Sequence, residues 1–256
     1  MSNTSSTRGY LLDMDGVIYR GSAPIPHARE FLDRLKQREI PFLLLTNHAC
    51  YTPERLQQKL AGMDMQLPLE NFYTSALATA EWLSEQGAKR VFALGEDGLI
   101  NALRDNGIAT ANDDVTHVVV GLDRNLSYDK LKLAMRLINA GAQFIATNPD
   151  PTYPVEDGHA PECGLLLGAL QHVTGKKPTT IGKPEAIIYR QAAQRLGLPL
   201  QNLTMVGDRL DTDIAGALGV GAHGTLVLTG HTTREMLVGA EVVPDEVLED
   251  LSWLEN

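Results

Sequence analysis

Short aliphatic and β-branched runs alternate along the chain with amphipathic stretches. Gly9–Leu12, Pro41–Thr46, Arg90–Leu94, His117–Gly121, Phe144–Thr147, Leu203–Gly207 and Thr225–Leu228 read as strands. Ala28–Gln37, Pro53–Ala61, Tyr128–Ala140 and Pro184–Leu196 carry apolar residues at helical spacing and read as helices. Apolar strands separated by helices suit a parallel sheet covered on both faces, and short links such as Arg38–Ile40 suit right-handed strand–helix–strand units. The class is therefore α/β. Residues 80–180 hold a strand–helix series of their own. They read as an inserted α/β domain, entered near Ala80 and left near Thr180, in a core formed by residues 1–79 and 181–256.

A chain of 256 residues has room for one or two domains and needs no disulfide or structural metal to hold its core. Its 43% hydrophobic and 21% charged residues are those of an ordinary folded protein. Against 22 Lys and Arg stand 32 Asp and Glu, a net charge of −10. Such a chain has no global field to attract nucleic acid or an anionic membrane, so neither is expected as a partner. An anionic substrate must then be held locally, by a metal or a helix N-terminus. Cys50 and Cys163 lack metal or redox spacing and read as reduced thiols in a cytoplasmic setting. The opening MSNTSSTRG is polar, unlike a secretory leader, and no apolar run approaches the ~20 residues needed to span a bilayer. The oligomeric state stays open, a homodimer included.

The strongest chemical signal is Leu11-Leu12-Asp13-Met14-Asp15-Gly16. An apolar strand ends in two carboxylates two residues apart, followed by a glycine that permits a sharp turn. Ligands of open parallel sheets bind outside the carboxyl ends of the strands, and alternate residues of an extended chain point the same way. Close acids repel unless a cation sits between them or one is protonated. A plain polar turn is the alternative reading. A Ca²⁺ loop of the EF-hand kind fails, because its glycine comes sixth and Gly16 comes fourth.

Other segments end alike. Pro41–Leu45 runs into Thr46-Asn47, and Leu203–Gly207 into Asp208, with Asp211 and Asp213 beyond. Ile181-Gly182-Lys183-Pro184 places a lone lysine before a helix expected to begin at Pro184, a favoured first helical residue. Acid pair, hydroxyl, lysine and second acid pair form a set that suits Mg²⁺ and a phosphoryl group. Two glycine motifs are decoys. Gly219-Val220-Gly221-Ala222-His223-Gly224 follows a helix and precedes a strand, the reverse of a dinucleotide fingerprint. Gly182-Lys183 is followed by Pro184 where a phosphate-binding loop needs Ser or Thr.

In this order DMDGVIY, LLLTN, IGKP and VGDRLDTDI resemble the four motifs of the haloacid dehalogenase (HAD) superfamily. ATNPD and the stretch Gly158–Gly164 are similar to its NagD and para-nitrophenyl phosphatase branch. The resemblance implies a Rossmann-like core with an inserted α/β cap, and Mg²⁺-dependent hydrolysis of small phosphate monoesters such as sugar phosphates or nucleoside monophosphates. It implies Asp13 as nucleophile and Asp15 as the acid that protonates the leaving oxygen and then activates water. Thr46 would bond the phosphoryl group, and Lys183 would steady Asp13 and the phosphate. The Asp13 and Asp208 carboxylates and the Asp15 carbonyl would bind Mg²⁺, with Asp213 behind them and Asp211 a solvated turn residue.

About thirty residues separate Asp13 from Thr46, so the long gap before Lys183 holds the cap. Asn47, Asn148 and Asp150 are the candidate substrate contacts, with an Asx turn before Pro151 as the plainer reading of the last two. His159 and Glu162 are further candidates, with solvated loop residues as the plainer reading. A phosphomutase ranks lower because the position of a small helical cap is empty. A non-catalytic binder of phosphorylated metabolites is the rival from another class, and intact Asp13, Asp15, Lys183 and Asp208 speak against it.

Overall fold

The computed structural model describes residues 8–155 and 158–253; the opening residues 1–7, read above as no leader, lie outside them. The chain forms two compact units. One takes the chain up to Thr46, Gln57–Tyr73 and everything from Lys183 onward; the other takes Asn47–Leu56 and Thr74–Gly182.

The first unit is built on a six-stranded sheet. From one edge the order is Glu246–Leu248, His223–Val227, Leu203–Gly207, Gly9–Leu12, Phe42–Thr46 and Phe72–Thr74. Gly9–Leu12 is buried along its whole length and pairs in parallel with the strands on both sides, Leu12 opposite Val206 and Leu44. Such a strand needs apolar residues on both faces, which explains the unbroken GYLL and FLLLT runs. Helices Ala28–Gln37 and Ala186–Leu196 bury Phe31, Leu32 and Leu35, and Ile188, Tyr189 and Ala192.

The second unit has its own five-stranded parallel sheet, ordered Thr179–Thr180, Gln143–Ala146, His117–Val120, Arg90–Leu94 and Ala109–Thr110. Phe92, Val118, Val120 and Phe144 pack with Ala134 and Ile138 of helix Tyr128–Asn139 and with Leu166, Leu167 and Leu170 of helix Cys163–Thr174. Ser127 caps the former, accepting from the Lys130 N–H at 3.2 Å.

The α/β reading holds, with a parallel core sheet and a second α/β unit. The expected start of a helix at Pro184 does not. The Lys183–Pro184 peptide is cis and the helix begins at Ala186. The glycine-rich stretch 219–224 joins helix Ala215–Gly219 to strand His223–Val227 and opens no helix. Among the described residues no helix is long and apolar enough to cross a membrane.

Candidate active site

Strand pairing in the first unit gathers the chemical residues at one sheet edge. Asp13 comes directly after strand Gly9–Leu12, and its N–H donates to the Val206 carbonyl at 2.9 Å. Asp208 comes directly after the neighbouring strand, and Thr46 closes the strand on the other side. At Gly16 the chain turns at φ +84°, a conformation that favours glycine, and a Cβ there would also collide with the Asp208 carboxylate.

Lys183 lies among these acids. Its Nζ donates to Asp13 Oδ1 at 2.6 Å and to Asp213 Oδ1 at 2.7 Å, with all three side chains buried. Burial pulls the ammonium toward neutrality, but Asp13 and Asp213 more than offset it, so Lys183 stays charged. Burial also pushes the Asp13 carboxyl well up; Lys183 opposes that shift, and Asp213 and Asp208 add to it.

Asp213 is delivered by a π-helical turn, Leu210–Ile214, in which the Ile214 N–H reaches back to the Arg209 carbonyl. Asp213 Oδ2 accepts from the Arg209 N–H at 3.1 Å, and the buried Tyr189 hydroxyl lies 3.1 and 3.0 Å from the Thr212 and Asp213 carbonyls. The same turn directs Asp211 outward, where it pairs with Arg209 at 2.8 Å and is mostly exposed, as a turn residue should be.

Carboxylate oxygens of Asp13, Asp208 and Asp213 lie within 4.8 Å of one another. Asp208 Oδ2 accepts from the His231 N–H at 2.6 Å, while its buried Oδ1 has no hydrogen-bond partner among the described residues. Burial, reinforced by Asp213, pushes the Asp208 carboxyl up to about 7. Three buried carboxylates against one ammonium, with an orphaned acidic oxygen, fit a hard divalent cation such as Mg²⁺.

Asp15 occupies a different environment. Burial raises its carboxyl, and Lys59 and a hydrogen bond from Tyr19 counter this in part. Lys59 Nζ sits 3.5 Å from the centre of the Tyr19 ring. Lys59, Tyr19 and Tyr189 carry no chemical signal of their own in the sequence, being a basic residue in a helix's last turn and two tyrosines inside apolar runs.

The second unit holds the other candidates, and there they bond to each other. Asn47 Nδ2 donates to Asp150 Oδ2 at 3.1 Å, and Asn148 Nδ2 donates to the Asn47 carbonyl at 2.9 Å. Asn148 Oδ1 accepts from the Asp150 N–H at 3.0 Å, which is the Asx turn. Glu162 is not the solvated loop residue of the plainer reading. Only 6% exposed, it caps helix Cys163–Thr174 by accepting from the Cys163 N–H. His159 is exposed, and the free thiols of Cys50 and Cys163 are buried.

The profile of haloacid dehalogenase-like hydrolases matches residues 10–109, and a HAD-hydrolase-like profile matches residues 180–254. An acid sugar phosphatase of Staphylococcus epidermidis is 39% identical over 247 residues, spanning 96% of this chain and 95% of that protein. The 5'-nucleotidase YutF of Bacillus subtilis is 37% identical over 249 residues, spanning 96% and 97%. The solved structure of NagD from Escherichia coli K-12 superposes with a TM-score of 0.93 at 31% identity, covering 98% of this chain and 99% of that one. Motifs, fold and relatives agree: the chain belongs to the haloacid dehalogenase-like hydrolases, in their NagD-like branch.

Proposed function

We propose that this protein hydrolyses small phosphate monoesters by way of an aspartyl-phosphate on Asp13, with Mg²⁺ as cofactor. It is a phosphoric monoester hydrolase by family; the substrate class, the metal and the residue roles are our reading. The observation that carries them is the buried Lys183 bonded to Asp13 and Asp213, with Asp208 beside them. Sugar phosphates and nucleoside monophosphates are the substrates we favour, since the relatives' names include one enzyme of each kind.

The Asp13 carboxylate attacks phosphorus, and the ester oxygen departs with a proton from Asp15. Asp15 then takes a proton from the water that attacks the acyl phosphate, which restores Asp13 and releases inorganic phosphate. A raised carboxyl suits that exchange, because it holds its proton closer to neutral pH. Lys183 holds Asp13 in place and supplies fixed positive charge, and to the Thr46 hydroxyl we assign a hydrogen bond to a phosphoryl oxygen. The Asp13 and Asp208 carboxylates and the Asp15 carbonyl, with Asp213 behind them, would hold Mg²⁺, which would supply further positive charge to the phosphoryl oxygens. Selection of the leaving group we assign to the second unit, as a cap.

Phosphate release from a panel of monoesters, with Mg²⁺ or excess chelator, tests the reading. Turnover should require the metal and fall to background in Asp13→Asn. Appreciable hydrolysis by that variant, or full activity in chelator, sinks it.

A further inference from the structure

The chain passes between the two units at Thr46–Asn47, Leu56–Gln57, Tyr73–Thr74 and Gly182–Lys183. On the second unit's side, three of these passages meet at one buried polar knot. The Asn47 carbonyl accepts from Ser75 Oγ at 2.7 Å and from Asn148 Nδ2 at 2.9 Å. The Gly182 N–H donates to the Thr147 carbonyl at 2.9 Å. Asn148 Nδ2 also reaches Thr147 Oγ1, at 3.3 Å. Ser75, Thr147 and Asn148 have no exposed surface. The knot is closely packed: a Cβ on Gly182 would stand 2.5 Å from the Thr147 carbonyl oxygen and 2.6 Å from Asn47 Oδ1.

Two of the passages lead straight to candidate catalytic groups, since Asn47 follows Thr46 and Gly182 precedes Lys183. A fully buried amide bonded at both ends cannot turn to a ligand without leaving the Asn47 carbonyl and the Asp150 N–H short of a donor and an acceptor. We infer that Asn148 is a positioning residue: through its bond to Asn47, and beside the Thr147 link to Gly182, it fixes the two points from which the chain runs to Thr46 and Lys183. This rests on the proposed phosphatase reading and departs from a direct contact of Asn148 with the leaving group. A misplacement of about 1 Å in such groups can cost on the order of 10²-fold in rate.

The test compares Asn148→Ala, Asn148→Asp and Gly182→Ala with the wild type on several monoesters, with inorganic phosphate as inhibitor and thermal unfolding as control. Asn148→Asp keeps the acceptor for the Asp150 N–H but loses the donor to Asn47. We expect all three to lose roughly 10- to 100-fold in kcat/KM by the same factor on every ester. They should also bind inorganic phosphate more weakly while remaining folded at the assay temperature. Inorganic phosphate has no leaving group, so unchanged inhibition with a changed ranking of esters makes Asn148 a leaving-group contact and overturns the inference. Full activity of Asn148→Asp, or losses that vanish once the folded fraction is counted, overturns it too. If the wild type cleaves no ester, the phosphatase reading falls by itself. Amide exchange then decides the knot: faster exchange at Gly182 in Asn148→Ala supports it, and unchanged exchange refutes it.

Discussion

Lys183 and Asp13 form an ion pair of 2.6 Å between side chains only 3% and 11% exposed. A buried pair of this kind is costly to break from one side, because the surviving charge has neither water nor partner. Here three carboxylates would survive.

Lys183→Met, which keeps roughly the side-chain length, should therefore abolish turnover and destabilise the fold by about 3–5 kcal/mol in chelator. Mg²⁺ should restore part of the stability and none of the turnover. Lys183→Arg should not rescue the enzyme, since a planar fork cannot occupy the place of a point charge. Denaturant unfolding with and without Mg²⁺ checks the stability, and a variant as stable as the wild type in chelator would mean that Lys183 is not the counter-charge.

Asp15 should matter most where the leaving oxygen is a poor one. Asp15→Asn is expected to slow alkyl phosphates by ~10²–10⁴-fold and para-nitrophenyl phosphate far less, because nitrophenolate leaves without a proton. Single-turnover measurement of phosphoryl transfer on both substrates separates the effects. Equal losses would assign Asp15 another role.

Much of this site was legible because its parts sit where apolar runs stop. Strand Gly9–Leu12 ends at Asp13, Phe42–Thr46 closes with a hydroxyl and Leu203–Gly207 ends at Asp208, and each pairs in parallel with a neighbour. A parallel register brings such ends to one edge, so local pattern was enough. Short elements held by long-range partners escaped. Phe72–Thr74 and Glu246–Leu248 are three residues each at the sheet edges, and helix Cys163–Thr174 begins in an apolar run with no helical period. The burial of Glu162 and the bonding of Asn148 to Asn47 depend on contacts 101 residues apart in the latter case, which no local window contains.

Metal affinity should follow the titration of Asp208, pushed up to about 7 by burial and Asp213. Mg²⁺ takes the ionised carboxylate, so protons compete with it. In metal-free protein the raised carboxyl contributes stability at low pH and loses it as pH rises through about 7, and bound Mg²⁺ should offset that loss. We expect added Mg²⁺ to raise the melting temperature more at pH 8 than at pH 6, with apparent affinity falling up to about tenfold per pH unit on the acid side. Asp208→Asn should weaken the dependence, leaving the part that the raised Asp13 carboxyl contributes. Equal Mg²⁺ shifts at both pH values in the wild type would take Asp208 out of the metal site.

Glu162 supplies a second pH dependence, independent of the metal. Burial, with the Asp150 charge adding to it, pushes its carboxyl up to about 8 from an ordinary 4.5, so at pH 7 the folded protein holds it protonated. The unfolded chain releases that proton near 4.5. Between these values the folded state binds more protons than the unfolded one, and stability must fall as pH rises. The contribution is full below about 4.5, drains away up to about 8 and changes no further above that. A shift of this size corresponds to a few kcal/mol, on the order of 1.4 for each pKa unit. Glu162→Gln stays neutral throughout and keeps an oxygen to accept from the Cys163 N–H. The variant should match the wild type near pH 5 and be the more stable of the two at pH 8.5. Thermal unfolding of both proteins in chelator across this range is the measurement. Parallel pH profiles would show that Glu162 is ionised in the folded protein and that its charge is met by a partner other than the helix it caps.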